Sequence, residues 1–282
     1  MQKWFLCVAL AASCVASPGA AYGQFDLNYT ITNPTFFSSN QLSILEQAVA
    51  EAEAMWEGVI TGYQPGISVP MLPVTITGTT SGFASARSNS VSLQGGFRVS
   101  TSGTISINRD ILEEFSAWGA DQVNVIDELV AHETGHVLGI GTNWVANNVY
   151  VIGSGKYTGQ YGLAAYRDEF DPLATFIPVE QAGSAGTYDA HWDQLMRSSA
   201  QEGNPADPFS LSPLIGITDR HGRDLALELM TGAIDPDYGE PFLSNTTVQS
   251  LRDLGYTVRP IPEPSSMVML VLGAMSLLRY RR

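Results

Sequence analysis

Two cysteines are all this chain contains, and both, Cys7 and Cys14, stand within its first 24 residues. The remainder cannot be a disulfide-framed scaffold, and no propeptide cysteine can hold a metal site inactive. Basic residues are also scarce: 14 Lys and Arg stand against 28 Asp and Glu, a formal net charge of −14. That balance argues against nucleic acid or anionic lipid as a partner. Histidine is rarer still, with four in 282 residues, so a metal site built on imidazoles must draw on His132, His136, His191 and His221. No internal repeat is apparent, and the Gly/Ser-rich stretch from Thr79 to Gly96 carries no nucleotide-binding fingerprint. Hydrophobic residues, at 44%, are ample for a core.

The ends of the chain are organised differently from its body. Lys3, an apolar run from Trp4 to Val15 and the small-residue exit Ala20-Ala21-Tyr22-Gly23 read as a secretory signal over residues 1–23, with cleavage expected near Gly23. At the other end Pro262-Glu263-Pro264 precedes an apolar run from Met267 to Leu278, closed by Arg279-Tyr280-Arg281-Arg282. That run is short for a membrane span, which usually needs about 20 residues. Residues 261–282 resemble the PEP-CTERM sorting tail of Gram-negative bacteria: a Pro-Glu-Pro motif, one hydrophobic helix, and a basic cluster kept on the cytoplasmic side. The resemblance implies an exported protein of the cell envelope or medium, with a transmembrane helix in its tail and an exosortase-type sorting enzyme as partner.

Between these ends, residues 24–260 read as one folded unit. Residues 25–33 alternate as an opening strand. Ser38, Ser39 or Asn40 can cap a helix from about Gln41 to Ile60 whose apolar side chains Leu42, Leu45, Val49, Ala52 and Trp56 recur at helical spacing. Val69 to Thr77 and Gly103 to Asn108 read as strands, and the Gly/Ser-rich stretch between them as irregular loop and edge strand. A second helix is expected over Val123 to Ile140, ended by Gly139 and Gly141. Thr142 to Asp189 has little periodicity and reads as a long insertion. Beyond it come an irregular region, then a helix over Thr246 to Leu254 running into Gly255.

The chemistry is concentrated in His132-Glu133-Thr134-Gly135-His136, an HExxH motif. Two histidines four residues apart on a helix project from one face, so both imidazoles can reach one zinc ion while the glutamate between them reaches water at the metal. Glu133 is then the expected general base for attack on a carbonyl that the metal polarises. Gly139 follows at the spacing HExxHxxG. A tetrahedral site needs a third protein ligand and leaves the fourth position open. Three residues after the glycine stands Thr142, which will not serve.

The interrupted motif resembles the leishmanolysin-like metzincin metallopeptidases, which place a long insertion after HExxHxxG and bring the third histidine from beyond it. Here Ala182 to Asp193 resembles the return to the metal, Glu228-Leu229-Met230-Thr231-Gly232 the Met-turn, and Leu251 to Val258 the closing helix and strand. The resemblance spans roughly Leu129 to Val258 and implies His132, His136 and His191 as zinc ligands; His221, closer to Met230, is the alternative third ligand. It also implies an α+β zincin. An N-terminal lobe would hold a twisted mixed sheet and two helices, the second carrying HExxH, and a mainly irregular C-terminal lobe would follow. Protein or peptide would lie extended between the lobes, pairing with an edge strand that Gly103 to Asn108 can supply, and the enzyme is expected to be monomeric. Met230 is expected to pack beneath the metal, and Trp144 and Trp192 to belong to the core or shape the cleft. Two other functions are compatible with these residues: an envelope or biofilm-matrix adhesion protein with structural zinc, and a zinc hydrolase of non-peptide amides.

Overall fold

A computed structural model of the chain describes residues 25–119, 122–183, 186–194, 217–233, 241–259 and 261. The expected leader at 1–23 and, apart from residue 261, the expected tail lie outside these residues. Among the described residues no helix is long and apolar enough to cross a membrane.

Strand β1 (Leu27–Ile31) leads into helix α1 (Ser39–Val59), whose start is fixed by a reciprocal cap. Ser38 Oγ accepts from the Gln41 N–H while the Gln41 side chain accepts from the Ser38 N–H. The helix buries Leu45, Ala48, Ala52 and Trp56, with Leu42 and Val49 packed at the margin, as their spacing predicts. After β2 (Ile60–Tyr63) come β3 (Leu72–Thr79), β4 (Ala84–Gln94) and β5 (Phe97–Asn108), and then the short α2 (Leu112–Phe115) and α3 (Ile126–Leu138). The main sheet has the order β1-β3-β5-β4; its first three strands are parallel, and β4 runs antiparallel to β5. The fold is α+β with a mixed sheet.

One expectation about this sheet is corrected and another holds. Gly103 to Asn108 is no edge: it is the second half of β5, paired on one side with β3 and on the other with β4. The Gly/Ser-rich stretch, expected to be loop and edge strand, supplies all of β4, which with β1 forms the two edges of the sheet. Its register closes at Gln94 opposite Phe97, so Gly95 and Gly96 form a two-residue hairpin. Both have positive φ, 57° and 90°, the conformation that such turns demand and glycine supplies without strain. β4 is a strand because β5 offers it hydrogen bonds, although half its side chains face solvent.

Helix α3 lies at the centre. Every residue from Leu129 to Leu138 is buried, since α1 covers one side and β4 and β5 the other. Trp56 Nε1 donates to the Ala131 carbonyl at 2.9 Å, and Ser88 Oγ donates to the Val137 carbonyl at 3.2 Å. Thr134 donates to the Val130 carbonyl, so the 2.8 Å contact between Tyr29 and Thr134 is donated by the tyrosine. At Gly103 the helix sits directly on the sheet, because an added Cβ would overlap both γ-methyls of Val137.

The remainder is less irregular than expected. Within the insertion, β6 (Lys156–Tyr157) pairs with β7 (Ile177–Pro178), and α4 (Gln160–Glu169) lies between them. The expected last helix divides into α5 (Asn245–Ser250) and a 3-10 turn over Leu251–Leu254; β8 (Tyr256–Val258) then pairs antiparallel with β2. Tyr256 Oη donates to the Leu138 carbonyl at 2.9 Å, tying the chain's end to the end of α3. Trp144 and Trp192 are both buried, stacked at 4.7 Å, and belong to the core.

The close approach at Gly103 has a measurable consequence. Gly103→Ala is expected to lower unfolding free energy by about 1–3 kcal/mol, because Val137 is stiff at χ1 and cannot swing aside. Gly58→Ala, on the open face of α1 with nothing within 4 Å, is expected to raise it by about 0.5–1 kcal/mol. Urea denaturation of the two variants checks both signs.

Candidate metal centre

His132 and His136 are one helical turn apart on α3, and both rings point out of its buried face. Gly139 ends the helix in the left-handed region, at φ 114°, with its N–H on the Gly135 and His136 carbonyls. Gly141 then permits the contact that completes the site: at φ 72° it lies so close to the Ala190 carbonyl that any Cβ would overlap it. The chain that returns from the insertion therefore crosses directly beside the end of α3. His191 is the next residue.

The returning segment is held on both sides. Trp192 bridges Val179 in antiparallel and Thr231 in parallel fashion, with its N–H on the Met230 carbonyl at 3.0 Å. The Glu180 N–H donates to the His191 carbonyl at 3.0 Å. Asp189, at φ 64°, accepts from the Tyr150 hydroxyl, the Gly153 N–H and the Gln181 side-chain amide. These bonds fix the turn before His191 against the insertion. Nothing in the sequence pattern pointed to Asp189 or Tyr150, since each is an ordinary residue in an aperiodic stretch.

The three histidines meet through their Nε2 atoms. Separations are 3.1 Å for His132–His136, 3.1 Å for His132–His191 and 2.9 Å for His136–His191. The other nitrogen of each ring faces a backbone carbonyl: His132 Nδ1 lies 2.6 Å from Leu229 O, His136 Nδ1 2.9 Å from Ile140 O, and His191 Nδ1 2.8 Å from Thr187 O. A carbonyl can only accept, so each Nδ1 carries the proton and each Nε2 presents a lone pair. Three lone pairs directed at one point repel one another unless a cation lies among them. Burial holds all three rings neutral, pushing His132 down to about 3 and lowering His136 and His191 as well. An unfolded chain takes up protons on these rings below about pH 6.5 and the folded one does not, so the cluster's contribution to stability falls as pH drops from there.

This arrangement fits a metal ion. A tetrahedral zinc site with bonds of about 2.0–2.1 Å has its nitrogens about 3.3 Å apart, close to the spacing here. All three histidines are buried and form the one three-residue group among the described residues able to hold a metal. Thr142 is not part of it; its hydroxyl donates to the His136 carbonyl at 2.7 Å and closes the helix end instead. His221 also lies apart, exposed in a turn where Asp219 accepts its backbone N–H. Met230 is fully buried and packs so tightly on α3 that a Cβ at Gly135 would come within 2.5 Å of its sulfur.

Glu133 completes the centre. It is buried at 5% exposure, and its Oε2 has no hydrogen-bond partner. Burial pushes its carboxyl up to about 8, and a neighbouring cation would oppose that shift. Glu133 and the histidines form the floor of a cleft of about 510 Å³, walled by Phe83 to Ala86 at the start of β4 and by Thr187, Ala190 and Thr231 to Ala233. Phe83 to Ala86 could not be foreseen as a wall, because the residue types there carry no pattern of their own.

Residues 260–282 match the PEP-CTERM protein-sorting motif. No curated protein matches the chain. The sorting motif marks a protein that is exported and sorted to the cell envelope, in Gram-negative bacteria generally, by an exosortase-type enzyme.

Metal titration separates the two candidate third ligands. His191→Ala is expected to weaken zinc binding at least about 100-fold and to abolish the zinc-induced rise in Tm, whereas His221→Ala leaves both unchanged. Calorimetric titration of the two variants beside the parent gives the answer.

Proposed function

We propose that this chain is an exported zinc-dependent endopeptidase of leishmanolysin-like metzincin type, with residues 24–260 as its catalytic unit. The observation that carries the proposal is the meeting of three Nε2 lone pairs with an unpartnered buried carboxylate, Glu133, on the floor of an open cleft. A purely structural zinc site is normally closed by a fourth protein ligand; here the protein supplies three nitrogens, and the side facing the cleft has none among the described residues.

Zinc, when bound, supplies a Lewis acid that polarises a carbonyl and makes nearby water a stronger acid. The chain's own residues do the rest. Glu133 takes a proton from the attacking water and can pass it to the leaving amine, so peptide hydrolysis needs no further acid. The Nδ1–H bonds to Leu229, Ile140 and Thr187 orient the rings and keep each in one tautomer. Substrate in extended form can add to β4 at Ala84–Ala86, where the sheet's edge meets the cleft. The small side chains there let a second backbone come close.

Hydrolysis of casein or a mixture of unfolded peptides tests the proposal. The zinc-loaded chain is expected to cleave, and Glu133→Gln is expected to lose at least about 100-fold in kcat while retaining one zinc per chain. Tight zinc without hydrolysis of any peptide or amide would point instead to a surface protein with structural metal.

A further inference from the structure

The cleft that the histidines line has an aromatic residue in its wall. Phe83, which precedes β4, forms part of its wall and remains 38% exposed. Its ring stands edge-on to Phe115, with centroids 4.9 Å apart and planes at 85°. Phe115 in turn lies flat against Trp118, at 4.4 Å and 16°. Three rings thus form a shelf whose outermost member opens into the cleft.

The shelf is fixed to the same framework as the metal centre. The Phe83 carbonyl accepts from the Asn108 N–H at 3.0 Å, and the Asn108 side chain donates to the Gly82 carbonyl at 2.9 Å, so the approach to β4 is pinned on the end of β5. Trp118 and Val123 exchange two backbone hydrogen bonds, of 2.7 and 3.0 Å. The Phe115 carbonyl accepts from the Val125 N–H at 2.8 Å, just before α3 begins. The rings therefore keep their place relative to His132 and Glu133. An exposed ring that is already backed by two others can receive another apolar side chain with little loss of its own freedom.

We propose that Phe83, backed by Phe115 and Trp118, is a specificity subsite that takes an aromatic or large aliphatic side chain of an extended peptide substrate. The inference rests on the peptidase reading above. In an extended peptide, side chains on one face recur about every 6.6–6.8 Å, so Phe83 meets one side chain. The preference is accordingly confined to one position of the substrate.

The test uses the zinc-loaded exported chain and ten-residue fluorogenic peptides that differ only by Phe or Ala at each position in turn. Parent, Phe83→Ser and Phe83→Trp proteins are compared by the ratio of kcat/KM for each peptide pair. Binding of the same peptides to the Glu133→Gln protein, with and without Phe83→Ser, is read by fluorescence anisotropy. One position of the substrate is expected to favour Phe about tenfold. That ratio should fall below about twofold in Phe83→Ser and persist in Phe83→Trp. A ratio unchanged by Phe83→Ser, or no such position, overturns the subsite. So does a dimer that Phe83→Ser disperses, with no peptide preference, since a second copy then covers the shelf. Phe83-dependent binding preference without any cleavage would keep the subsite and overturn the peptidase.

Discussion

Three backbone carbonyls govern the centre of this protein. Leu229, Ile140 and Thr187 each accept a hydrogen bond from one imidazole Nδ1–H through their carbonyls, and so each histidine must present its Nε2 lone pair to the other two. The carbonyls come from three separate places: the loop before Met230, the turn after α3, and the turn before His191. The site exists only when all three are in register. Much of the fold can be understood as the means of holding them there.

Helix α3 supplies two of the rings and is buried throughout, which is costly unless its neighbours fit closely. Trp56, Tyr29, Ser88 and Tyr256 each bond to it from a different element, and Gly103 allows the sheet to touch it. The loop bearing Leu229 is held from below by Glu228. Its buried carboxylate accepts from the Met230 N–H and from Ser244 and Thr247 at the start of α5, and Trp192 Nε1 donates to the same Thr247 hydroxyl. One buried acid therefore links the Met230 loop, the His191 segment and the last helix. Burial raises its pKa and the hydrogen bonds lower it, leaving a net rise.

What could be read in the sequence divides along physical lines. Helix α1 was legible because its start obeys a local rule, Ser38 with Gln41, and its core face has helical period. The His132–His136 pair was legible because a four-residue spacing on a helix fixes geometry by itself. The joining of His191 to that pair depends on the missing Cβ of Gly141 leaving room for the Ala190 carbonyl, a contact between distant segments that no period encodes. Strand β4 was half-hidden: Gly95-Gly96 is a hairpin signal, but Ser-rich strands lack the apolar alternation by which strands are recognised. The same weakness misplaced the sheet's edge on Gly103 to Asn108, whose alternation is stronger because it is interior. Helix α4 was missed because its burial depends on α5 and the 3-10 turn after it, as in the bonds from Tyr161 and Gly162 to Asp253.

The sorting motif and the candidate metal centre lie in different parts of the chain, the one at its end and the other in the middle of the fold. The proposed zinc reading rests on the second of these, on three neutral imidazoles that meet in a buried pocket. X-ray absorption at the zinc edge, on the chain purified from its exporting cell, tests this most directly. The account predicts one zinc per chain bound by three imidazole nitrogens at about 2.0–2.1 Å, with an oxygen from solvent as the remaining ligand. A site closed by four protein ligands, or a chain exported in native form that neither carries nor takes up zinc, would contradict it.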